Sequence, residues 1–339
     1  MSQINLIISE PDNIFESGYK AKKGWLNFDL LQLFLMHPFV VLKRQCQVNN
    51  ITQKVHILPF SLFPVILKLS KTQGIMCLWK GFSSVISVKL ISYSLESFLT
   101  WSMEFSKKNK ITWKGYYGKN ILIKCVTISV MIPWNAVSLA ESVQSCVVRE
   151  RNDGIFDTFK EGLWHFIQLY SPKRGKMLIS IYILLPPTII CYLLKQTISE
   201  FIYSLVSCLL KFKELWKQQR KYCIEEEKNF YLYKINKIEK TSKLIGFYTA
   251  EMLMYPTETI MHRLYLQGTR TIVDNVESGS NNIVPILTNY QNITDCCELI
   301  LKKEGRSGLY KGFGALVLQI ILNFILLHVD NEWNRNNIL

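Results

Sequence analysis

The sequence is narrowed first by what it lacks. Its nine cysteines form no Cys-x-x-Cys pair, and most sit inside apolar runs. That argues against a zinc site or disulfide framework and for small buried hydrophobes in a reducing setting. The five histidines share no ligand-like spacing. There is no Gly-rich phosphate loop, metal-binding helix or nucleophile elbow. Gly312-Phe313-Gly314 lacks the third glycine of a dinucleotide loop and opens an apolar run. The chain therefore reads as neither an enzyme nor a cofactor protein. Its start carries Glu10, Asp12, Glu16 and Asp29, so it has the character of neither a signal peptide nor an acid-poor presequence. Residues 1–25 read as a short, loosely ordered tail.

What is present is long apolar sequence under positive charge. Of 339 residues, 49% are hydrophobic and 12% aromatic, with a formal net charge of +14 and a mean hydropathy of +0.12. Apolar runs flanked by Lys and Arg are the pattern of a multi-pass membrane protein. A nucleic-acid binder would gather its basic residues beside a modest core, so no nucleic acid is expected as a partner. Six segments are apolar enough to cross or lie in a bilayer, near 26–44, 82–102, 119–141, 177–210, 243–266 and 313–330. A crossing takes about 20 residues.

One motif is written twice. Residues 71–81 read KTQGIMCLWKG and residues 302–312 read KKEGRSGLYKG. Each is Lys-x-x-Gly followed by aromatic-Lys-Gly, and each opens an apolar run. His37-Pro38 precedes the first and Tyr255-Pro256 the second, while Pro133 marks the third apolar segment and Lys173-Arg174-Gly175 is a weaker third turn. A proline inside a helix removes a hydrogen bond and kinks it, and neighbouring helices in a membrane can satisfy the freed carbonyl. The order predicts an all-α membrane protein with six transmembrane helices in three pseudo-repeats, joined by amphipathic connectors. The repeats fall at 26–105, 106–210 and 244–339. A charged insertion at 211–243 reads as a solvated linker or a helical hairpin. The Gly-, Ser- and Asn-rich stretch around 269–289 reads as a loop.

Three repeats of two spans, with proline-kinked odd helices and aromatic-Lys-Gly turns, resemble the mitochondrial carrier family. The stretches 37–48, 141–155, 255–275 and 304–315 are similar to a divergent outer-membrane branch of that family. The resemblance implies a multi-pass protein of the mitochondrial outer membrane that acts as an adaptor in fusion–fission balance and cristae organisation. Membrane lipids, the mitochondrial fusion GTPases and the cristae-organising complex are the implied partners, with lipid handling as a further role. The alternative is a genuine mitochondrial solute carrier exchanging a small metabolite.

The family's odd helices carry Pro-x-[Asp/Glu]-x-x-[Lys/Arg], giving three acid–base pairs that close one end of a central cavity. Here those positions hold Val40 and Lys43, Asn135 and Ser138, and Glu258 and Met261. The carrier ring faces the fifth helix's acid to the first helix's base, which makes Glu258 and Lys43 the candidate remnant pair. The other reading gives each ion its own water or headgroup. The opposite ring, on the even helices, is missing at Tyr93–Glu96, Tyr192–Lys195 and Phe324–Leu327. Glu96, Glu141 and Glu251 stay as charges within apolar stretches, where a carboxylate is a functional candidate or an interior hydrogen-bonding group. In the run Pro256 to Arg270, Pro256 is expected to kink the fifth helix. Leu264 is expected to pack into the bundle, and Arg263 and Arg270 to lie at the membrane boundary. For these last three residues, locking of the helix to its connector and contact with a partner both stand open.

Overall fold

The computed structural model describes residues 14–52, 54–105, 113–145, 179–218, 227–269, 271–274 and 283–336, with the single positions 160, 163 and 164. Lys173-Arg174-Gly175 and Arg270 lie outside the described residues.

Helix α1 (Ile14–Val48) carries Pro38 in its interior. Proline has no N–H, which leaves the Phe34 carbonyl without its helical donor. The Trp79 indole N–H supplies one at 3.0 Å, and its ring stacks on Phe34 at 5.3 Å. The aromatic of the first aromatic-Lys-Gly turn is thus what completes the helix around its proline. Connector helix α2 (Phe63–Gln73) follows, with a proline in its first turn, where a missing N–H costs nothing. Gly74 and Gly81, at φ of +81° and +69°, bracket a 3-10 turn leading into α3 (Phe82–Phe105). Next come α4 (Trp113–Val143), with Pro133 inside, and α5 (Ile181–Gln218). The last helices are α6 (Glu227–Leu253), α7 (Tyr255–Leu266), connector α8 (Ile293–Glu304) and α9 (Phe313–Asn336).

The fold departs from the sequence expectation in three places. Pro256 does not kink a continuous fifth helix: the helix stops at Met254, whose backbone (φ −90°, ψ 4°) is not helical, and restarts with proline in the first turn of α7. The stretch around 269–289 is not only loop. It holds a two-stranded antiparallel pair, β1 (Ile272–Asp274) and β2 (Ile283–Pro285), with Val273 opposite Val284. Val273 also bridges Gln144 at the end of α4. Finally, among the described residues four helices are long and apolar enough to cross a bilayer, at 75–103, 118–143, 181–214 and 306–333. The segments near 26–44 and 243–266 are not among these. Their ionisable groups, including Lys43, Glu251 and Arg263, are buried inside the bundle, which lowers hydropathy without exposing charge to lipid.

The described parts of the 211–243 segment, 211–218 and 227–243, are helical. At about 1.5 Å per residue, the 38 residues of α5 run roughly 57 Å, well beyond a hydrocarbon core of about 30 Å. Its outer end is laced to α6 by Lys234–Glu214 at 2.7 Å and Lys211–Glu239 at 3.3 Å. Gly246 permits the close approach: a Cβ there would sit 2.6 Å from the Ser199 carbonyl oxygen.

Three of the four apolar clusters among the described residues tie the helices together. Ile132, Ile260, Leu264 and Ile300 join α4, α7 and α8. Leu42, Leu62, Leu69 and Ala315 join α1, α2 and α9. Val48, Leu139, Leu266 and Val273 close the end where α1, α4 and α7 finish.

Candidate functional site

The bundle interior holds a chain of ion pairs across four helices. Lys43 Nζ of α1 donates to Glu258 Oε1 of α7 at 2.9 Å and lies 3.7 Å from Glu251 Oε2 of α6. Lys195 of α5 pairs with the other oxygen of Glu251. Glu258 sits in the first turn of α7, the end of a helix that favours an anion. His262, one turn on, shares a hydrogen bond of 2.8 Å between its Nδ1 and Gln47 Oε1. Arg44 donates to Ser142 Oγ at 3.1 Å, tying α1 to α4. Beside this chain opens a cavity of about 270 Å³, whose polar lining includes Glu96, Lys124, Asn135, Lys195, Glu258 and His262.

Below the ion-pair chain the bundle end is bolted by two parallel constructions. In the first, Lys80 Nζ donates to the Gln144 carbonyl at 2.9 Å and to Asp274 Oδ2 at 3.2 Å. The Lys80 carbonyl is met by His37 Nε2 at 2.9 Å. In the second, Lys311 Nζ donates to the carbonyls of Asn49 and Thr52 at 3.0 and 2.7 Å and pairs with Glu304 at 2.6 Å. The Lys311 carbonyl accepts from the Tyr255 hydroxyl at 2.7 Å. Each lysine of the repeated motif therefore caps carbonyls at the C-terminal end of a neighbouring proline helix, where a cation is favoured. Each residue preceding the proline, His37 or Tyr255, holds that lysine's backbone. Gly81 and Gly312 allow the approach, since Cβ atoms there would meet Ser142 N at 2.9 Å and Cys46 Cβ at 2.7 Å.

Arg263 belongs to the second bolt. Its Nε donates to the Gln47 carbonyl at 3.0 Å, and Nη1 and Nη2 grip Glu304 at 2.5 and 2.8 Å. At 3% exposure it does not reach outward to headgroups, as the sequence reading of a membrane-boundary residue had it. A guanidinium with a bidentate carboxylate and a carbonyl has its donors satisfied inside the protein, and the snorkelling argument no longer applies. Leu264 is buried in the α4–α7–α8 cluster. The structure brings Lys43 and Glu258 together, and places Asn135 and Met261 on the cavity wall. Sequence reasoning missed Glu304 and Asp274, which lie outside the spans, and left Glu251 and Lys195 unpaired. Their one signal was a lone acid and a lone base in apolar runs. Among the described residues no cluster of His, Cys, Asp and Glu could hold a metal ion.

The mitochondrial carrier protein family matches the chain at residues 29–110 and 243–336. These two stretches supply every side chain of both bolts, while the Gln144 carbonyl lies outside them. The chain belongs to the mitochondrial carrier family. It is similar to solute carrier family 25 member 46-B of Xenopus laevis, 36% identical, covering 87% of this chain and 70% of the relative. It is also similar to the mitochondrial outer membrane protein SLC25A46 of Rattus norvegicus, 35% identical, and of Homo sapiens, 33% identical; each match covers 87% of this chain and 69% of the relative. With its several apolar helices, this carrier-family member is a multi-pass protein of the mitochondrial outer membrane.

Proposed function

We propose that this carrier-family protein does not transport and acts as an outer-membrane adaptor in mitochondrial fusion–fission balance and cristae organisation. Its partners would be the fusion GTPases and the cristae-organising complex, within a bilayer whose lipids it also helps to handle. It is read as having no catalytic activity. The layout is six spans in three pseudo-repeats at 26–105, 106–210 and 244–339, with 211–243 inserted.

The observation that carries this reading is the bolted end of the bundle. A carrier cycles between two closures of similar free energy, which substrate biases. Here the closed end is held by Lys80–Asp274 and by Arg263–Glu304–Lys311, all with side chains at most 9% exposed. Opening would strip buried charges of their partners, at about 3–5 kcal/mol for each pair. The Pro-helix positions meanwhile retain one acid–base pair, Lys43–Glu258, so little remains on the carrier side to drive cycling. Reconstituted protein is expected to show no saturable counter-exchange of nucleotides, keto acids or amino acids. Robust specific exchange would overturn the reading.

The polar lining of the cavity favours a second reading, a genuine solute carrier of small metabolites. Lys124, Lys195 and His262 would then hold an anionic substrate, and the same exchange assay decides between the two.

A further inference from the structure

Connector helix α2 has two apolar faces, and the interior uses one. Leu62, Val65 and Leu69 are buried against α1 and α9. On the opposite side Phe60, Phe63 and Leu67, with Ile75 and Met76 of the following turn, are between 54% and 78% exposed. The spacing of 60, 63 and 67 lines them along one helix face.

The fold does not require this. Aligning the two aromatic-Lys-Gly motifs superposes α2 on α8, and the buried positions correspond: Val65 and Leu69 match Cys296 and Ile300, which are also buried. The exposed positions do not. Phe60, Phe63, Leu67, Ile75 and Met76 correspond to Gln291, Thr294, Glu298, Arg306 and Ser307, all exposed. Lys80 and Lys311 fasten the two connectors to the proline helices in the same way, so the two outer faces stand at one level of the bundle. At that level α8 presents Glu298 and Arg306, which places the level in water rather than hydrocarbon. An apolar ridge exposed there lacks a cover.

Its charge says what the cover is. No Asp or Glu occurs from residue 30 to residue 95. Lys71 is exposed beside the ridge. The geometry points to a docking surface for a partner protein: an amphipathic helix whose apolar stripe packs on Phe60, Phe63 and Leu67 and whose flanking acids meet Lys71. Helix on helix is the packing that a ridge with spacing of three and four residues favours. This rests on the adaptor reading and names the surface through which it works.

The test is a photoreactive benzoylphenylalanine at position 67 of the full chain in intact mitochondria, with the same residue at position 298 as control. The expected result is a discrete protein adduct at 67 and none at 298. The cross-linked peptide should be an amphipathic helix with acidic flanks. The adduct should fall severalfold when Lys71→Glu is added at unchanged abundance. Lipid adducts at 67 would assign the ridge to the membrane and overturn the proposal. So would no protein adduct, equal adducts at both positions, or indifference to charge reversal. Phe63→Ser with Leu67→Ser leaves Leu62, Val65 and Leu69 in place, and so separates docking from folding. If that variant restores mitochondrial morphology as well as the unmodified chain does, the surface is wrong and the adaptor reading stands. If the unmodified chain has no effect on morphology, the adaptor reading itself fails.

Discussion

Lys43 sits between two carboxylates, 2.9 Å from Glu258 and 3.7 Å from Glu251, with a side chain 8% exposed. Lys43→Met leaves both acids without their shared cation, and removing one partner of a buried pair typically costs about 3–5 kcal/mol. We expect a clear drop in the melting temperature of the detergent-solubilised protein. Exchanging the charges at 43 and 258 should recover only part of the loss, because the new carboxylate at 43 then faces Glu251. Purely additive single effects would mean that the two positions do not interact. Arg263→Ala should lower abundance through stability, since it leaves Glu304 and Lys311 buried around a hole. Arg263→Lys keeps the charge and loses the two-pronged grip, and should fall between. At Cys296, burial pushes the thiol up to about 12. It stays protonated at pH 7 to 9 and should resist iodoacetamide until the protein unfolds. The sign for stability is unfavourable in alkali: the unfolded thiol ionises around its ordinary value of 9.0 while the folded one does not until about 12, so stability falls as pH rises through that window.

At the scale of elements, the twice-written motif is a fastening whose parts have separate costs. Gly305 and Gly312 both have positive φ, at +73° and +79°, but a Cβ at Gly305 meets nothing within 4 Å. Gly305→Ala should therefore cost only the left-handed backbone, about 1–2 kcal/mol. Gly305→Asn should recover much of it, since asparagine tolerates that conformation. Gly312→Ala adds a collision with Cys46 Cβ at 2.7 Å and the Lys43 carbonyl at 3.1 Å. Asparagine should give no recovery there, and thermal melting of the four variants distinguishes strain from collision. Leu264→Pro breaks the last turn of α7 and empties a buried site. It should cost roughly 3 kcal/mol or more, read as loss of steady-state protein. The motif's existence and its role in opening α3 and α9 were legible from spacing. That Trp79 completes the helix around Pro38, and that Lys80 and Lys311 cap neighbouring helices, was not, because these contacts join residues more than 40 positions apart.

Across the whole molecule, the segment after α7 straps the closed end together. Ser145 N–H donates to the Ile272 carbonyl at 2.8 Å, and Gln73 Nε2 donates to Asp274 Oδ1 at 2.8 Å. With the Lys80 pair, this strap draws the end of α2 and the turn after it onto the end of α4. Asp274→Asn keeps the shape and removes the anion facing Lys80, whose side chain is 1% exposed. We expect a loss of about 3 kcal/mol, measured by thermal melting, with no gain of counter-exchange. Exchange appearing in that variant would show that the strap alone holds a working carrier shut.

By itself the sequence determined the membrane class, the twice-written motif, the proline positions and the carrier family, because each is written in local spacing and composition. It also narrowed the acid–base positions to Lys43 and Glu258. Only the tertiary structure decided what the ions do. Glu251 and Lys195 complete the interior chain, Arg263 turns inward to Glu304, and Asp274 reaches Lys80. A charge in an apolar run must find a counter-charge or leave the interior, but which counter-charge it finds is set by how the helices cross. The same holds for α2: its sequence carries apolar residues on two sides, and only packing showed that one face is buried and the other exposed.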